Sequence, residues 1–287
     1  MTRLILNADD FGLTPGVNQS IIELHEAGAL SSATLMATAE SFNAAAAEAI
    51  KHPALGVGCH VVLVDGKPAL GQTDIPNLSL SSGGFRPTLG AFVRDLMRGR
   101  IREDEIEAEA AAQIRRVQAA GVKVTHVDTH KHTHIFGRVL RPLLRAARAC
   151  GVTAIRNPFE AHWALSASPT APLGRRWQVK LLRASRTRFL HRLRDAGLST
   201  TDGAVGVLAT GTLDKATLQR LLAGMPEGTW ELVCHPGYPD AALDGVRTRL
   251  RESRAIEHAA LLETIPAYLM EHPESRLTHF NELGGVR

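Results

Sequence analysis

Leu4-Ile5-Leu6-Asn7-Ala8-Asp9-Asp10-Phe11-Gly12 is a short apolar run that halts on two adjacent carboxylates, and the same kind of ending recurs along the chain. His60 interrupts the apolar segment from Leu55 to Val64. The segment Val122 to Val127 runs into Asp128 and His130, and Trp230 to Val233 runs into Cys234-His235. In parallel α/β architectures the carboxyl ends of the strands gather on one rim, where the chemistry is done. Four separate strand ends delivering Asp and His to one rim are hard to explain by core packing alone.

Between these segments lie helical patterns. Thr14-Pro15-Gly16 opens one that contains Ile21, Ile22 and Leu24 and closes at Gly28. Others cover Ala44 to Ile50, Val139 to Ala149, Lys215 to Leu222 and Ser253 to Met270. Glu103 to Ala120 places acids early and Arg115-Arg116 late, as the helix dipole favours, and Gly121 ends it. Further strands are expected at Ala33 to Thr38, Val152 to Ile155, Val205 to Leu208 and Leu277 to Phe280, and 66–88 reads as a long loop. Strands alternating with helices imply a parallel sheet with crossover helices. About seven strands allow either a (β/α) barrel or an open doubly wound sheet. No G-x-G-x-x-G follows the first strand. With neither an internal repeat nor a low-complexity linker, a single domain over 1–287 is expected.

The chain of 287 residues is 44% hydrophobic and 22% charged, enough to bury a large core. No apolar run of ~18 residues exists to span a membrane, and the start lacks a signal-peptide layout, so a cytoplasmic address is expected. Cys59, Cys150 and Cys234 cannot all pair and show no CxxC spacing, which argues against a disulfide scaffold and a thiolate zinc site. The +4 charge is concentrated: 175–194 holds eight Lys/Arg and no acid. With only 5% aromatics and no recognisable module, nucleic acid is not an expected partner. Trp177, Val179, Leu181, Leu182, Phe189, Leu190 and Leu193 interleave with those cations. That pattern fits either a basic amphipathic helix lying on an anionic membrane or an ordinary solvated helix with one face in the core.

The densest cluster is Thr125-His126-Val127-Asp128-Thr129-His130-Lys131-His132-Thr133-His134. If the chain stays extended here, His126, Asp128, His130, His132 and His134 share one face. Imidazole with carboxylate suits zinc and other divalent ions. Considered alone, His60 is as well read as a satisfied core histidine, and one of Asp9-Asp10 as a helix cap. Adjacent strand residues point to opposite faces, so both carboxylates reach one site only where the strand turns.

Taken together, Asn7-Ala8-Asp9-Asp10-Phe11-Gly12, Gly58-Cys59-His60 with Gly66-Lys67-Pro68, the 125–134 cluster and Cys234-His235-Pro236-Gly237 resemble the YdjC/ChbG-type carbohydrate deacetylases over nearly the whole chain. Gly66-Lys67-Pro68 running to Asp74-Ile75-Pro76, and His130-Lys131-His132, resemble the hopanoid-associated members most. The resemblance implies an α/β fold, a distorted (β/α) barrel related to NodB-type polysaccharide deacetylases. It implies one divalent metal ion, magnesium or zinc, on Asp10, His60 and His130. It also implies Asp9 as general base, His235 as general acid, and Arg156, in Arg156-Asn157-Pro158, pairing with the base. Asp128, His132 and His134 are the expected substrate contacts. Lys131 departs from the family pattern, where another histidine is common. The implied substrate is an N-acetylated sugar or glycolipid, with peripheral membrane contact through 175–194 and a homodimer both allowed. A metallo-phosphoesterase and a non-catalytic sugar-binding barrel are the competing classes.

Overall fold

The computed structural model describes residues 1–167 and 183–283. At its centre is β1 (Thr2–Phe11), whose side chains alternate between two environments. Leu4, Leu6 and Ala8 join the main apolar core. Ile5, on the opposite face, packs with Ala154 and Phe280 in a small separate cluster, and Asn7 and Asp9 continue that inner face.

The other strands are β2 (Ser32–Leu35), β3 (Gly56–Val61), β4 (Val127–Thr129), β5 (Gly203–Val205), β6 (Gly228–Cys234) and β7 (Ser275–Leu277). The order is β4-β3-β2-β1-β6-β5, all pairs parallel, with β7 beside Thr2–Leu4 of β1. Single parallel bridges, Val127 to Ile155, Ala154 to Ser199 and Glu160 to Ala204, carry the sheet from β4 round to β5. The result is a distorted (β/α) barrel of seven parallel strands, closed by an irregular segment where a strand at Val152 to Ile155 was expected.

Nine helices are described: α1 (Pro15–Glu26), α2 (Phe42–Lys51), α3 (Leu89–Met97), α4 (Glu103–Ala119), α5 (Gly137–Ala149), α6 (Arg186–Ala196), α7 (Lys215–Ala223), α8 (Ala241–Asp244) and α9 (Glu252–Glu271). Thr14 caps α1, its hydroxyl accepting from the Val17 N–H at 3.3 Å. Two helices were unforeseen, α3, whose Thr88 cap accepts from the Ala91 N–H, and the short α8.

The barrel interior is polar. On β3, Gly56 and Gly58 leave it open: a Cβ on Gly58 would lie 2.4 Å from the His126 ring. The space is filled by His126 stacked on Phe280, ring centroids 3.7 Å apart.

Between β3 and α3 the chain forms no helix or strand, as expected. It is nonetheless pinned. Glu109 of α4 accepts from the Ala69 and Leu70 amides, and Glu105 accepts from those of Asn77 and Leu78. Of the basic 175–194 segment, 175–182 lies outside the described residues. In the remainder Phe189 and Leu193 of α6 are buried in the core, which favours the ordinary solvated helix. No described helix is long and apolar enough to cross a membrane.

Candidate active site

Two adjacent carboxylates reach one site because β1 is deformed where they sit. Asp10 has a φ of +66°, and the β1–β2 register slips between Ala8 and Phe11. A left-handed residue costs an L-side chain ~1–2 kcal/mol. Here it bulges the strand and brings Asp9 and Asp10 to the same rim.

Asp10, His60 and His130 converge, with one donor atom from each lying within 4.8 Å of the others. His60 Nε2 is 3.8 Å and His130 Nδ1 is 3.6 Å from Asp10 Oδ1. His60 Nδ1 is 2.8 Å from Asp128 Oδ1, which turns Nε2 into the site, 3.3 Å from His130 Nδ1. A carboxylate behind a ligand imidazole is the usual way proteins orient it for a metal. One carboxylate oxygen and two imidazole nitrogens facing open space fit a divalent ion. The other oxygen of Asp10, Oδ2, accepts from Arg254 Nη2 at 2.6 Å.

Asp9 has an arginine of its own. Arg156 Nη1 and Nη2 donate to Oδ2 and Oδ1 at 2.9 and 2.6 Å. Arg156 is fully buried; its Nε donates to Glu231 at 2.7 Å, and Nη1 also ion-pairs with Asp128. One guanidinium thus lies among three carboxylates. Asp9, His60 and Asp128 also cluster closely enough to suggest a second ion, but Arg156 is the cation already bridging Asp9 and Asp128.

Burial opposes ionisation of Asp9 most strongly, yet the charge and hydrogen bond of Arg156 together with His60 and His235 outweigh it and hold the carboxyl far below its usual range. Asp10 is likewise held low, with Arg254, His130 and His235 together overcoming burial. Burial pushes Glu231 up to about 7 against the pull of Arg156. Burial lowers His60, but Asp128, Asp9 and Asp10 together outweigh it and raise the ring to about 9. His235 follows β6, with Nε2 3.7 Å from Asp9 Oδ2, and its main-chain N–H donates to Glu257 at 2.6 Å. Burial lowers the His235 pKa, so its ring is neutral at rest.

The 125–134 cluster does not stay extended. β4 ends at Thr129 and the chain turns into a 3-10 helix, His130–Ile135, with φ of +56° at Lys131 and +51° at His132. The cause is local: Thr129 Oγ1 accepts from the His134 main-chain N–H at 3.0 Å and pairs with its Nδ1 at 2.7 Å, folding the chain back. The histidines therefore separate. His130 and His132 face the cavity, and burial lowers His132 to about 3, keeping it neutral. Of the expected substrate contacts only His132 reaches the cavity lining. Asp128 stands behind His60, and His134 packs against Phe189.

The cavity measures about 870 Å³, near the top of the ~300–1,000 Å³ range of ligand sites. Asp9, Asp10, His60, His130 and His235 form its polar floor. Leu13, Met36, Ile135, Phe136, Phe159 and Val207 are among its apolar walls, and Lys131, Arg247 and Arg249 stand on its lining as well.

A family model described as YdjC-like protein matches residues 3–270. The chain belongs to the YdjC-like family. Its similar relatives include a carbohydrate deacetylase of Brevibacillus brevis, 32% identical over 98% of this chain and 100% of that protein. A mouse carbohydrate deacetylase is 32% identical over 83% of this chain and 78% of its own length. Among solved structures, an Enterococcus faecalis protein named for cellobiose-phosphate cleavage superposes with a TM-score of 0.79. The two share 25% identity, and the match covers 98% of each chain.

Sequence reading missed Glu231 and Arg254. Glu231 left a signal, as a lone acid inside the apolar Trp230–Cys234 run. Arg254 left none, standing beside Arg247, Arg249 and Arg251 with nothing local to single it out.

Proposed function

We propose that the chain is a metal-dependent N-deacetylase, hydrolysing the acetamide of an amino sugar to acetate and a free amine. The observation that carries this reading is the convergence of Asp10, His60 and His130 beside an arginine-held Asp9 and a neutral His235. The names of the relatives point to the same reaction class. Two imidazoles and one carboxylate favour zinc over magnesium, which prefers oxygen donors.

A divalent ion bound there supplies Lewis acidity, bringing a water's pKa towards ~7 and polarising the acetyl carbonyl. Asp9 takes the proton of the attacking water, and Arg156 keeps it ionised for that task. His235, neutral at rest, must gain a proton before giving one to the departing amine. Asp9 Oδ2, 3.7 Å away, is placed to pass on the proton it took. His132 contributes a neutral ring for a substrate hydrogen bond.

The cavity size and its apolar walls favour a sugar carried on an apolar aglycone, of which acetylglucosaminyl-hopanoid is the example the resemblance suggests. Diacetylchitobiose is the principal alternative. Acetate release from both, and from simple N-acetylglucosaminides, after loading with zinc or magnesium is the test. No acetate from any of them with either ion would sink the reading; preference for chitobiose would overturn the glycolipid part alone.

A further inference from the structure

Each of the adjacent carboxylates has its own buried arginine, but the two pairings differ in kind. Arg156 takes both oxygens of Asp9. Arg254 takes one oxygen of Asp10 and leaves the other bare. Oδ1, the oxygen left free, is the one that faces His60 Nε2 and His130 Nδ1.

Arg254 is only 1% exposed, and every interaction of its fork ties it to this corner of the molecule. Nε donates to the Leu250 carbonyl at 3.1 Å, and Nη1 lies 3.5 Å from the His235 carbonyl. Its own carbonyl accepts from the Gly237 N–H at 3.2 Å. A buried guanidinium that lost its carboxylate oxygen would be left without its counter-ion, so a cation cannot readily displace Nη2 from Oδ2. The charge also repels any cation approaching that oxygen.

We infer that Arg254 is a positioning residue that confines Asp10 to single-oxygen ligation of the metal. The inference rests on the metal-dependent reading above and deepens it. A chelating Asp10 with two histidines would fill four positions of a small coordination sphere. One oxygen with two histidines fills three, and leaves the room that water and a carbonyl oxygen require. Arg254 also ties Asp10 to the loop carrying His235, so ligand and proton donor are held by one side chain.

X-ray absorption of the zinc-loaded protein decides this without reference to turnover. A chelating carboxylate brings its carbon close to the ion and adds a distinct shell; a singly bound one does not. The wild type is expected to lack that shell, and finding it there overturns the inference outright. Arg254→Met is expected to gain the shell, while Arg254→Lys, which keeps a cationic donor for Oδ2, is expected to stay like wild type. A folded Arg254→Met with an unchanged spectrum overturns the role of the arginine. If Arg254→Met does not fold, Arg254→Gln, which removes the charge but keeps a polar side chain, takes its place with the same two outcomes. With zinc fully bound, Arg254→Met should release acetate ~10–100-fold more slowly. A wild type that binds zinc with one Asp10 oxygen and releases no acetate removes the deacetylase reading and leaves this one standing.

Discussion

At the scale of single residues, the site is a set of matched charges. Asp9 and Asp10 are neighbours in sequence for which different tasks are proposed, and their arginine partners make the difference. Asp9→Asn should retain bound metal while acetate release falls ~100-fold or more, because the amide cannot take a proton from water; full activity in that variant would refute the base assignment. Asp128 belongs to the same logic although it does not line the cavity. It holds His60 through Nδ1 and neutralises Arg156. Asp128→Asn is expected to weaken zinc binding ~10–100-fold in competition with a chelating dye. A direct substrate contact would instead raise KM and leave metal affinity alone.

At the scale of elements, the sequence showed which strands end in chemistry, but not how their ends are shaped. Period-two and helical patterns are short-range, so most helices and the strands β1, β2, β3 and β6 were legible. The expected ranges at β4, β5 and β7 meet the observed strands only at Val127, Val205 and Leu277, and Val152 to Ile155 forms bridges in place of a strand. The bulge at Asp10 and the turn at His130–Ile135 depend on φ angles of non-glycine residues, which leave no compositional mark. Arg254 and Glu231 matter through partners 244 and 75 residues away, and a pattern read in a local window cannot reach them. The long segment between β3 and α3 was legible as a loop, but its anchorage was not. Glu109 alone accepts from Ala69, Leu70 and Gln113. Glu109→Ala would leave the half-buried Ala69 and Leu70 amides without this partner, at up to ~1–3 kcal/mol for each group left unsatisfied. Thermal unfolding should show a clear drop in Tm, and a Tm equal to wild type would mean the loop is held by other contacts.

For the whole molecule, buried charge makes stability depend on pH in two opposing ways. Asp9 and Asp10 are held low, so their contribution is complete above the usual carboxylate range and is lost as the pH falls below ~4. Glu231 and Glu257 are raised to about 7, chiefly by burial. Their contribution is complete below ~4.5 and is lost as the pH rises towards 7. Glu231→Gln keeps an oxygen for Arg156 Nε and removes that titration. Urea unfolding from pH 5 to 8 should therefore show a flatter profile for the variant than for wild type; parallel profiles would place the pH dependence elsewhere. The barrel also has a seam. Asp10, His60 and His130 ride on the continuous run of paired strands from β1 to β4, whereas Pro158, Phe159 and Glu160 of the cavity wall sit where single bridges close the ring. On the proposed reading the three metal-holding residues thus keep to the regular ladder, while this part of the wall lies on the seam. Pro158 and Phe159 can therefore change along the seam without disturbing the strand pairings that carry Asp10 and His60.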